Sequence, residues 1–198
     1  MTLADKVTSA RLVIAPVFFV IYLLPRFFPS FFAVTPSWMV PVLWVLFVVS
    51  EITDMLDGMI ARKRGEVSEF GKFFDPFADT LTQVTYFFCF VIDGILPPLL
   101  FLAVLYREFS ILFIRNLMLK RGITMGARMG GKIKTVTYIL AGALALLASS
   151  VLRLGMDDSY YRWLTLAAEG VFVVSVILAV ISFFDYVSVY RKTPNMVE

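Results

Sequence analysis

The chain has 198 residues, 60% of them hydrophobic and only 17% charged. Soluble domains are about half apolar and a quarter charged, so a water-soluble globule is excluded and a membrane protein is expected. The net charge of +3 is met by anionic lipid headgroups without any role for nucleic acid. With no His in the sequence, the usual general base, zinc ligand and triad partner are missing. Acid–base or metal chemistry must then come from carboxylates, Lys, Tyr or Cys, and carboxylates favour hard cations such as Mg or Mn.

Residues 1–11 place Leu3, Val7 and Ala10 at helical spacing, the pattern of a short amphipathic segment lying on a membrane. A first span follows from about Leu12 to Leu24, with Pro25, Pro29 and Pro36 marking a turn. No small-residue cleavage site follows this apolar stretch, so it reads as a retained span rather than a leader. The second span runs from about Trp38 to Asp57, a polar stretch covers 61–72, and the third span runs from about Phe73 to Ile92. Cys89, the single cysteine, lies in that apolar run and reads as a buried, inert thiol. The fourth span covers Leu99 to Leu119, and Lys120 to Gly131 form a Gly-rich basic loop. The fifth covers Lys132 to Leu152, a polar link runs from Arg153 to Trp163, and the sixth covers Leu164 to Tyr186. A spanning helix needs about 20 mainly apolar residues, so six spans use most of the chain. The expectation is an all-α integral membrane protein: one domain over 1–198, a six-helix bundle over 12–189, and a tail over 190–198.

An even number of spans puts both termini on one side. All Lys and Arg fall on that side except Arg26, Arg153, Arg162 and the mid-span Arg107. The positive-inside rule then makes the termini and the charged loops cytoplasmic, in a multi-pass inner or cell membrane.

Asp54 and Asp57 are three apart and Asp75 and Asp79 four apart, so each pair shares a helix face. The pairs lie at the cytoplasmic ends of consecutive spans, and an antiparallel hairpin brings them together. Four carboxylates this close repel unless cations neutralise them. Two divalent ions would do so, and would clamp the attacking and leaving oxygens of a phosphoryl displacement. The bland alternative is helix capping and pairing with Arg62, Lys63, Arg64 and Lys72, with Asp75-Pro76 as a helix start.

The run Asp54-x-x-Asp57-Gly58-x-x-Ala61-Arg62, then eight residues, then Gly71-x-x-x-Asp75-x-x-x-Asp79 resembles the signature of the CDP-alcohol phosphotransferases. The six-span topology matches that family too. The resemblance implies that metals bind the pyrophosphate of a CDP-lipid such as CDP-diacylglycerol, that an acceptor hydroxyl attacks the lipid's phosphorus, and that CMP leaves. It implies Asp54, Asp57, Asp75 and Asp79 as metal ligands, Asp79 also as general base, and a polar active-site cavity open to the cytoplasm. Gly58 and Ala61 would leave room for cytidine, Gly71 belongs to the same lipid-nucleotide site, and Arg62 would pair with a phosphate or a motif Asp. Close packing through small residues and an interfacial cation are the structural alternatives. Thr8 and Arg11 resemble a Thr and an Arg of the branch that acts on glycerol 3-phosphate, which implies Thr8 as part of the CDP-lipid site, although Asp5 stands where that branch usually has Asn. Homodimers are common in the family.

Arg107, mid-span beside Glu108, is costly in lipid. Arg115, eight residues on, lies about 12 Å along the axis, and Lys132 and Lys134 open the fifth span. Together they suit an anion, since Arg grips phosphate bidentately, and suggest a small alcohol acceptor that already carries a phosphate. An Arg107–Glu108 bridge and ordinary flanking lysines are the alternatives. The stretch Arg107-Glu108-Phe109 with Arg115 and Gly131-Lys132-Ile133-Lys134-Thr135 is similar to the glycerol 3-phosphate branch, with Arg128 where Ser is common. Inositol phosphate, serine and choline remain other acceptors. From different classes, a cation transporter would need broken helices at the bilayer midplane, and a scaffold would lose folding rather than turnover on losing an Asp.

Overall fold

Among the described residues of a computed structural model there are six helices: α1 Leu3–Phe27, α2 Met39–Arg64, α3 Glu69–Ile92, α4 Pro98–Lys120, α5 Met129–Arg153 and α6 Asp158–Lys192. The structure describes residues 3–32, 36–64, 69–120, 122–123 and 129–192. Within them, side chains are not described at 3–7, 55–64, 69–70, 72, 129–130 and 132.

Large apolar residues face outward as well as filling the core, and several charged residues are buried. Val13, Val20, Val45, Phe113, Val136, Ile181 and Phe184 are exposed, whereas Thr8, Arg11, Arg107, Glu108 and Lys134 are buried. An apolar exterior around a polar interior suits lipid as solvent. α1, α5 and α6 contain stretches long and apolar enough to cross a membrane, Thr8–Phe27, Ile133–Arg153 and Asp158–Lys192. This is an all-helical membrane protein.

Several boundaries differ from the sequence reading. The amphipathic segment expected over 1–11 is the first part of one continuous helix with the first span. Of the stretch 61–72, read as polar, residues 61–64 belong to α2 and 69–72 to α3, and 65–68 lie outside the described residues. Pro76 therefore lies inside α3, and Asp75-Pro76 does not start the helix. Pro76 is the eighth residue of α3, past the first turn, so its ring forfeits one backbone hydrogen bond within the helix. α6 begins at Asp158, inside the expected polar link. Hydropathy marks where lipid contact stops, and a helix needs no apolar residue beyond that point.

α1 packs on α2 and α3, α5 on α6, and α4 bridges α3 and α6. Phe18 and Tyr86 meet edge to face at 4.5 Å, and Phe87 lies between Phe172 at 4.9 Å and Tyr138 at 5.3 Å, joining α1, α3, α5 and α6. Gly142 admits α2: a Cβ there would stand 3.2 Å from the Phe47 ring. Gly94 ends α3 at φ +73, a left-handed conformation that glycine adopts without steric cost. The Ile95 N–H returns to the Phe90 carbonyl at 2.9 Å and closes the helix end. The tight turn predicted at Asp93-Gly94 is thus present, and it sets α3 antiparallel to α4. Cys89 is buried and free.

Candidate active site

The N-terminal part of α1 reaches across the bundle to the carboxylates of α2 and α3. Arg11, buried on α1, donates from Nη1 to Asp54 Oδ1 at 2.5 Å and to Asp79 Oδ1. Thr8, one turn earlier, donates to Asp75 Oδ1 at 2.8 Å. Two carboxylates from different helices therefore converge on one positively charged nitrogen. Asp54 and Asp79 are 38% and 44% exposed while Arg11 is 2% exposed, so the acids face open volume and the guanidinium backs them.

That volume is a cavity of about 300 Å³, at the lower end for small-molecule sites. Arg11, Asp54 and Asp79 form one wall, and Arg107, Glu108 and Arg115 of α4 face it with Lys134 of α5 and Tyr186 of α6. Ser50 and Glu51, one turn from Asp54, and Thr82 and Gln83, one turn from Asp79, continue the first wall inward. The cavity thus has carboxylates on one side and cations on the other.

The cations are not equivalent. Arg107 is held on three sides: Nη1 donates to both Glu108 oxygens at 2.9 Å, Nε to the Ala179 carbonyl at 3.1 Å, and Nη2 to the Ser182 hydroxyl at 3.2 Å. Lys134 donates to Glu108 Oε1 at 2.8 Å and lies 4.6 Å from the centre of the Tyr138 ring. The Arg107–Glu108 bridge is therefore real, and Lys134 is a buried partner of it rather than a surface flank. Arg115 is looser. Its Nη2 donates to the Tyr186 hydroxyl at 3.1 Å, its guanidinium stacks 5.6 Å from that ring, and its buried Nε has no partner. The two Arg and Lys134 outweigh Glu108, leaving this wall positive.

Asp57, Gly58, Ala61 and Arg62 lie on α2, and Lys132 on α5, but their side chains are outside those described. Gly71 is buried in α3, one turn before Asp75. Asp75 does not line the cavity; its carboxylate meets α1 through Thr8. Among the described residues, no three metal-ligating side chains converge as a ready-made cage. The sequence reading missed Glu108 as the organiser of two cations and gave no role to Ser50, Glu51, Thr82, Gln83 or Tyr186. The helical spacing of the first four from the motif Asp residues was the available signal.

Comparison with known proteins gives the family. Residues 1–181 match the CDP-alcohol phosphatidyltransferase family. The chain is 38% identical over 193 residues to the CDP-diacylglycerol–glycerol-3-phosphate 3-phosphatidyltransferase of Treponema pallidum (strain Nichols), covering 96% of this chain and 89% of that one. It is 34% identical over 149 residues to the enzyme of the same name from Bacillus subtilis (strain 168), covering 73% and 76%. The chain belongs to the CDP-alcohol phosphatidyltransferase family and is a phosphatidyltransferase.

Proposed function

We propose that the protein transfers the phosphatidyl group of CDP-diacylglycerol to glycerol 3-phosphate, releasing CMP, in phospholipid biosynthesis. The observation that carries this reading is the single cavity with motif carboxylates on one wall and Arg107, Arg115 and Lys134 on the other. The names of the relatives support the choice of donor and acceptor.

Each residue has a task in that reaction. Arg115, with an unpaired Nε, and the Arg107–Lys134 pair bind the acceptor phosphate by charge-assisted hydrogen bonds. Asp79 takes the proton of the acceptor hydroxyl as its oxygen bonds to the lipid's phosphorus. The bond from that phosphorus to the CMP oxygen breaks, and CMP carries away the electron pair. Thr8 holds Asp75, Arg11 holds Asp54 and Asp79, and Gly58, Ala61, Arg62 and Gly71 belong to the lipid-nucleotide site. The donor set fits two divalent cations: it is all oxygen, as Mg or Mn prefers, and Asp54 and Asp79 already converge on a positive nitrogen. Held by Asp54, Asp57, Asp75 and Asp79, such ions would neutralise the pyrophosphate and the charge developing on CMP.

We further infer that all six helices cross the membrane with both termini cytoplasmic. α2, α3 and α4 carry most of the charged residues that line the cavity, so charge facing the cavity rather than lipid interrupts their apolar runs. The basic bias of the same-side loops supports the orientation.

The test is CMP release by purified protein in lipid–detergent micelles containing CDP-diacylglycerol and Mg or Mn, with glycerol 3-phosphate, inositol phosphate, serine and choline compared as acceptors. Release with glycerol 3-phosphate alone, abolished by a chelator and restored by either metal, is expected. Release with a different acceptor overturns the acceptor assignment, and chelator-resistant release overturns the metal assignment.

A further inference from the structure

One layer of the cavity has no task in the reaction as described. Ser50 and Glu51 of α2 and Thr82 and Gln83 of α3 line it one helical turn below Asp54 and Asp79, about 5 Å deeper. Thr82 is 5% exposed, and its Oγ1 has no hydrogen-bond partner. A buried hydroxyl without a partner costs free energy unless something bound satisfies it.

The depth of this layer can be set against the cation wall. Thr82 and Gln83 lie ten and nine residues before the end of α3, and Arg107 and Glu108 nine and ten after the start of α4. A tight turn joins the two helices, which pack together, so both pairs stand about 14 Å from that turn. Lys134 bonds Glu108 and shares that depth. The floor therefore has cations on one side and Glu51, Thr82 and Gln83 on the other.

We propose that Glu51 and Thr82 form a hydroxyl-reading subsite for the acceptor, accepting from and donating to the secondary hydroxyl of a glycerol phosphate. The chemistry suits each part. An ionised carboxylate only accepts hydrogen bonds, and a Thr hydroxyl both gives and takes. The opposite wall attracts the acceptor phosphate, and at this depth the Glu51 side carries no cation, so the molecule lies in one orientation. Its phosphate meets the cations, its middle hydroxyl meets Glu51 and Thr82, and its primary hydroxyl points up to Asp79. The subsite selects a polyol phosphate over a phosphorylated simple alcohol. This inference rests on the acceptor reading above.

The test compares glycerol 3-phosphate with 3-hydroxypropyl phosphate, which keeps the phosphate and the primary hydroxyl and lacks only the secondary one. Wild-type protein is expected to prefer glycerol 3-phosphate in kcat/KM by on the order of ten- to a hundredfold, the range for hydrogen bonds to a charged group. Glu51→Ala and the near-isosteric Thr82→Val should each shrink that preference, by slowing the reaction of glycerol 3-phosphate and sparing that of the deoxy acceptor. Thr82→Val serves as the check should Glu51→Ala fail to fold. Equal wild-type use of both acceptors overturns the subsite and leaves the acceptor reading standing; use of neither overturns both. Because the donor's ribose also carries neighbouring hydroxyls, the same variants are run with a 2′-deoxycytidine donor. A changed preference between donors, with unchanged preference between acceptors, would move the floor to the nucleotide and overturn the proposal.

Discussion

The two ends of the bundle use the same residue types to opposite effect. At one end Arg11, Asp54 and Asp79 border a cavity, and both acids are more than a third exposed. At the other, the C-terminal ends of α1, α3 and α5 meet in a closed knot. The Tyr22 hydroxyl donates to Asp93 at 2.7 Å and lies 2.9 Å from the Ser149 hydroxyl. Arg153 donates to Ser149 Oγ at 3.0 Å and to the Tyr22 carbonyl at 2.9 Å, and its guanidinium sits 4.3 Å from the Tyr22 ring. Asp93 is 18% exposed and Arg153 only 9%. Both Arg153 and Arg26 also lie in the last turns of their helices, where a cation complements the helix dipole. A charged cluster therefore does not mark a site by itself. The difference is whether the groups satisfy one another or leave acids and donors facing empty volume.

Substitution of one aspartate at each end breaks the comparison most sharply. Asp79→Asn should lower turnover by roughly a hundred- to ten-thousand-fold, the usual share of a general base. Its melting temperature and its binding of CDP-diacylglycerol should change little, because the amide keeps an oxygen for Arg11. Normal turnover would remove Asp79 as base. Asp93→Ala should do the reverse. It strips Tyr22 and Arg153 of a buried partner at a cost of about 2–3 kcal/mol, read as a lower melting temperature in detergent, with kcat retained below the transition. Lost activity at an unchanged melting temperature would mean that the knot takes part in function.

The carboxylate end was more legible than the closed end for a physical reason. Spacings of three and four put Asp54 with Asp57, and Asp75 with Asp79, on common helix faces before any packing is known. The Arg11 contacts span 43 and 68 residues, and the Lys134–Glu108 bond spans 26. No local period encodes them; they exist because α1 lies on α2 and α3 and because the long Lys134 side chain of α5 reaches Glu108 of α4. Arg107 and Arg115 could be placed on one cavity by their spacing, but only packing decides that Arg107 is held on three sides while Arg115 keeps a free donor. The far-side knot joins Tyr22, Asp93 and Arg153, each of which reads alone as an interfacial residue. Helix ends were blurred at 61–72 because a polar segment outside lipid can remain helical.

A smaller effect at the same closed end sharpens the contrast. Asp157, between α5 and α6, accepts the Ser159 N–H at 2.8 Å through Oδ1 and caps α6. These hydrogen bonds, to the Ser159 backbone first and its side chain second, hold the carboxyl below its ordinary value of 3.8. A depressed folded-state pKa contributes stability that is fully present above the unfolded value and fades as pH falls through the folded one. Asp157→Ala should therefore lower the melting temperature slightly at pH 7, and the gap to wild type should close only as the pH falls below the ordinary Asp range. CMP release at pH 7 should be unchanged. Melting curves at pH 7 and in acid decide it: a gap that stays constant down through the acid range would mean that the ionised cap is not what the substitution removed.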